Sequence, residues 1–113
     1  MNAALAKFKR IVAQVREETE INFGRYGLSD LLRDAGPNPS HARLAALAAQ
    51  YFCTEDGRYN GSQPGLMVVL GFVGETCTSL GGAGDAVDTL LRLIKTNPSL
   101  SQLEEWASGY YRS

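Results

Sequence analysis

The chain predicts an all-α fold, a single compact domain over residues 1–113 with five or six helices around a buried central apolar helix. Two observations carry that expectation. Capping residues at Asn2, Ser29, Ser40, Asp85 and Ser101 each open a stretch with apolar residues at spacings of three and four. Side chains of Ser, Asp and Asn accept hydrogen bonds from the free amides of a first helical turn, so repeated caps mark repeated helix starts. Gly or Pro then follows several of these stretches, and either residue stops a helix cheaply.

The first helix is expected from residue 2 to about 22. Leu5, Phe8, Ile11, Val12 and Val15 form one apolar stripe. Its charges oppose the helix dipole: Lys7, Lys9, Arg10 and Arg16 precede Glu17, Glu18 and Glu20. Each misplaced charge costs ~0.3–1 kcal/mol near an exposed terminus. An antiparallel copy would set the basic half against the acidic half, which makes Phe8, Val12 and Val15 the candidate self-association face. A solvated face with chance charge order explains the same pattern.

Gly24 and Gly27 break the pattern, and a short helix follows from Ser29 with Leu31 and Leu32 inward, stopping at Gly36 before Pro37 and Pro39. Ser40 caps a helix to about Phe52, with Leu44, Leu47, Ala48 and Tyr51 on one face. Residues 53–63 are polar and turn-rich. Arg58 beside Tyr59 there is a pairing common at binding surfaces, although a connecting loop accounts for it as well.

The segment Pro64–Leu80 is apolar on every side through Leu66, Met67, Val68, Val69, Leu70, Phe72 and Val73. A buried helix, with Gly71 and Gly74 admitting a close neighbour, and a buried strand both fit. Its length favours the helix. Gly81, Gly82 and Gly84 read as a joint before Asp85. Val87, Leu90, Leu91 and Ile94 then make a stripe that Asn97 and Pro98 end, and Asp88 can pair with Arg92 one turn on. Ser101 with Glu104 reads as a capping box for the last helix. Trp106, Tyr110 and Tyr111 crowd the last eight residues as a candidate protein-binding patch; alternatively Trp106 and Tyr110 close the core and only Tyr111 is exposed.

Composition narrows the function. With 113 residues, 44% hydrophobic and 20% charged, the chain is ordinary globular material rather than disordered. A net charge of −1 gives no overall field toward nucleic acid or acidic membranes. No signal core and no span-length apolar run is present, so a cytoplasmic protein with no membrane partner is expected. One histidine, His41, and two scattered cysteines, Cys53 and Cys77, do not make a zinc set, and no cofactor or metal is expected.

Two short resemblances stand beside this reading. Gly82, Ala83, Gly84 and Asp85 resemble the Gly-Ala-Gly-Asp motif of ribokinase-type sugar kinases, where glycine amides at a helix start hold an anion and the Asp is the base. That family needs a large sheet and a much longer domain, so the role is not carried onto Asp85. Leu31, Leu32, Ala35, Gly36, Pro39, Ser40 and Leu44 resemble the turn of repressor-type helix-turn-helix domains. The resemblance implies a DNA-binding regulator over residues 28–52, with Ser40, His41 and Arg43 facing DNA. Few Lys or Arg stand on that helix to neutralise phosphates, which disfavours nucleic acid as the partner. The leading expectation is a non-enzymatic protein acting through protein–protein contact, as adaptor, inhibitor or assembly subunit, and forming a homodimer. A small enzyme would need the Gly81–Asp85 turn, or Cys53 with His41, to sit in a pocket.

Overall fold

The computed structural model describes residues 2–19, 24–52, 62–77 and 82–111. Among them run six helices and no strand: α1 Ala3–Thr19, α2 Gly24–Ala35, α3 His41–Phe52, α4 Ser62–Thr76, α5 Gly82–Ile94 and α6 Leu100–Tyr110. The all-α expectation holds, and the segment from residue 64 is helix rather than strand.

Two of the expected caps act as such. The Leu5 amide donates to Asn2 Oδ1 at 2.9 Å, and the Arg43 amide donates to Ser40 Oγ at 3.1 Å. The other three caps lie inside helices. Ser29 sits within α2, which starts at Gly24 and runs through Gly27, and Asp85 sits in the first turn of α5. Gly82 and Gly84 are therefore helical rather than a joint. At α6 the cap is Ser99, not Ser101. Ser99 Oγ accepts from the Gln102 amide at 3.2 Å, and Gln102 Oε1 accepts from the Ser99 amide at 2.8 Å. A capping box is present two residues earlier than expected, closed by Gln102 instead of Glu104. Gly36, at φ +79°, closes α2 in the left-handed conformation, as its sequence position predicts.

Packing gives α3 the most enclosed place. It touches α1, α2, α4 and α6, and its residues Leu44 to Ala49 are all buried. Four alanines in that run let neighbours approach from several directions, which sets Leu44 to Ala49 in the core while Gln50 stays exposed. α4 shares the centre by packing on α1, α3 and α5. It buries Val68, Val69, Phe72 and Val73, while Met67, Leu70 and Gly74 on its other side face out. Apolarity on every side thus ends in a two-faced helix. Close approach occurs at Gly71, where a Cβ would stand 3.2 Å from Ile11 Cγ2, and more tightly at Gly65, 2.6 Å from Phe52 Cβ, whereas Gly74 has nothing within 4 Å.

Polar ties join the helices at their edges. Asn2 Nδ2 donates to the Pro39 carbonyl at 2.5 Å, and Arg10 pairs with Glu75 between α1 and α4. Arg43 binds Glu104 on α6 and donates to the Asp34 carbonyl at 3.0 Å. Such half-exposed pairs are worth up to ~1 kcal/mol each and orient the helices more than they stabilise them. The expected Asp88–Arg92 pair does not form.

Candidate functional site

The stripe expected to drive self-association is core within one chain. Phe8 meets the Phe72 ring edge-on at 5.4 Å, and Val12 and Val15 are buried beside it. Phe8 has an aromatic partner on α4, and all three side chains are buried within one chain. Phe8, Val12 and Val15, expected to drive self-association, thus expose little apolar surface of their own.

The C-terminal aromatics are corrected in the same direction. Trp106 is 9% exposed and Tyr111 is 4% exposed. Both close the core, and neither Trp106 Nε1 nor Tyr111 Oη has a hydrogen-bond partner among the described residues. The Thr76 hydroxyl beside Tyr111 donates instead to the Phe72 carbonyl at 2.5 Å. Burial therefore raises the Tyr111 phenol well above its ordinary pKa. Tyr110 is half-buried, its hydroxyl 3.2 Å from Asp85 Oδ2 and 3.1 Å from Thr89 Oγ1, which ties α6 to α5. Arg58, Tyr59 and Cys53 lie outside the described residues.

The residues of the helix-turn-helix reading are also committed to the fold. Ser40 caps α3, and Arg43 is held by Glu104 and Asp34. His41 lies against two rings, 5.8 Å from Phe72 and 6.3 Å from Tyr111 between centroids. Burial, then the nearby charge of Lys7, lowers its pKa below the ordinary 6.5. A recognition helix needs one face free for the major groove. Ser40, His41 and Arg43, expected to face DNA on that reading, are each engaged by other parts of the fold.

Two surfaces that sequence reasoning did not single out remain. The first is an open groove of about 170 Å³ between α1 and α2. Val12, Ala13, Leu28 and Leu32 line it, with Lys9 and Arg16 on the rim. Lys9 and Arg16 are seven residues apart, which puts them on one face of α1 about 10.5 Å apart along the axis. Neither meets a carboxylate among the described residues. Their spacing around Val12 and Ala13 is the signal visible in the sequence, but nothing there says which side of α1 stays open.

The second surface lies on α4 and α5, which pack together. Met67, Leu70 and Leu91 stand there, the large hydrophobic side chains left 39–40% exposed among the described residues. Asp85, Asp88 and Arg92 share the exposed face of α5 with Leu91, and exposed Lys95 follows directly after the helix. Apart from the Tyr110 contact to Asp85, no ion pair or hydrogen bond engages these four side chains among the described residues.

Cys77 is a free, half-buried thiol, and no group of three or more metal-capable side chains occurs among the described residues. No described helix is long and apolar enough to cross a membrane. Comparison of the chain with protein-family models, with curated proteins and with solved structures gave no match.

Proposed function

We propose that this is a small non-enzymatic binding protein that works through protein–protein contact and pairs with a second copy of itself across α4 and α5. The observation that carries the reading is the exposed set Met67, Leu70 and Leu91 on helices that also carry charges with no ion pair among the described residues. Asp85 and Asp88 stand toward the start of α5, and Arg92 and Lys95 toward its end. An antiparallel two-fold copy sets acidic against basic at both ends, whereas a parallel copy sets like against like. The charges choose the alignment, and burial of the apolar side chains supplies the affinity.

Three apolar anchors per copy fall short of the roughly 800 Å² per partner that stable pairs bury. The expected dimer is therefore weak, reversible and salt-sensitive. Light scattering after size exclusion, at low and moderate salt, tests this. Dimer should form at low salt and recede as salt rises. Leu91→Glu and Met67→Glu should leave a folded monomer, with the helical circular dichroism of the parent. A parent that stays monomeric at both salts overturns the reading.

A further inference from the structure

From the groove between α1 and α2, we infer that the protein binds an acidic amphipathic helix from another protein, apart from any pairing across α4 and α5. Size decides the kind of occupant. The cavity of about 170 Å³ is below the range of ~300–1,000 Å³ that holds small-molecule ligands. It suits one or two apolar side chains anchored from a partner that continues along the surface.

Charge decides which partner. Lys9 and Arg16 stand at the two ends of the apolar floor with no carboxylate partner among the described residues. Glu17, the next residue along α1, is turned about 100° from Arg16 around the axis. A helix lying in the groove meets a cation at each end, two turns apart. The complementary sequence has apolar residues three and four apart and carboxylates about seven apart on the flanking face. Leu28 and Leu32, one turn apart on α2, form the far wall against which its apolar side chains pack. Ala13, exposed and small, leaves the floor open between the two cations.

A fluorescently labelled peptide of about sixteen residues, long enough to hold a helix, is the probe. It carries leucines at helical spacing and two flanking glutamates; a control peptide carries lysines in their place. Anisotropy should rise to saturation with the glutamate peptide and show at least about fivefold weaker binding of the lysine peptide. Reversal by Lys9→Glu together with Arg16→Glu should invert that preference. Ala13→Gln fills the floor without adding charge and should remove binding of the glutamate peptide. All three positions are exposed, so the variants keep the fold, which circular dichroism checks. Absence of saturable binding, equal affinity for the two peptides, or unchanged binding by Ala13→Gln overturns the inference. A change in oligomeric state on Ala13→Gln would give the groove to a second copy and overturn it too.

Discussion

His41 shows how little of a residue's role its type reveals. As a lone histidine at a helix start it fits a base contact, a catalytic partner or a core ring equally well. The neighbours decide: Phe72 and Tyr111 flank the imidazole, and Lys7 adds a positive charge nearby. Both effects favour the neutral form, so its pKa in the folded state falls below the unfolded value of 6.5. The unfolded chain then binds this proton more readily than the folded one. Stability from this group is complete above about pH 6.5 and is lost as pH falls through the lower folded value. Urea unfolding between neutral and mildly acidic pH should show that loss. His41→Gln, which cannot take up the proton, should flatten the slope across that interval, and an unchanged slope would remove His41 as its source.

Helix existence was legible in the chain, whereas helix starts were only partly so. Asn2, Ser40 and Gly36 act where the pattern puts them, because each lies next to a clear change in periodicity. Ser29, Asp85 and Ser101 mislead for one physical reason. A hydroxyl or carboxylate inside a helix, in the first turn for Asp85 and Ser101 and further in for Ser29, has the same composition as a cap, and only its backbone conformation separates the two. Glycines carry the same ambiguity. Of Gly71 and Gly74, which look alike as contact points, Gly71 meets a neighbour, its added Cβ 3.2 Å from Ile11 Cγ2, and a tighter approach is at Gly65, where an added Cβ would meet Phe52 Cβ at 2.6 Å and the Phe52 carbonyl oxygen at 2.8 Å. Backbone cannot rotate away as a side-chain tip can, so overpacking of ~1–3 kcal/mol should exceed the ~1 kcal/mol of helix propensity that Ala brings. Gly65→Ala is expected to destabilise by about 1–2 kcal/mol in denaturant titration. Gly74→Ala, with nothing within 4 Å, should stabilise by up to ~1 kcal/mol. Equal effects at the two positions would deny the close α3–α4 approach.

On the scale of the whole molecule, the outward faces were the least legible part. Both sequence readings of the C-terminal aromatics left Tyr111 exposed, yet it is buried, while the open apolar positions belong to Leu, Met and Ala. Which side of an apolar helix faces out depends on the helices packed on it, and the local sequence does not encode that. The two surfaces lie on separate parts of the fold. On α1, Ile11 touches Gly71 of α4 and stands about 200° around the axis from Lys9 on the groove rim. α1 therefore packs its back on α4 and turns the groove away from it. A pair formed across α4 and α5 would present two grooves at once, the arrangement the proposed binding role calls for. Linked binding then gains from effective concentration without any new contact. A single acidic helical peptide should bind Leu91→Glu and the parent with equal affinity, because the substitution lies on the other face. Two such helices joined by a flexible linker should bind the dimeric parent more tightly than the single helix, and Leu91→Glu should lose that gain. Weaker binding of the single helix by Leu91→Glu would instead mean that the faces are coupled, and the two-surface arrangement would fail.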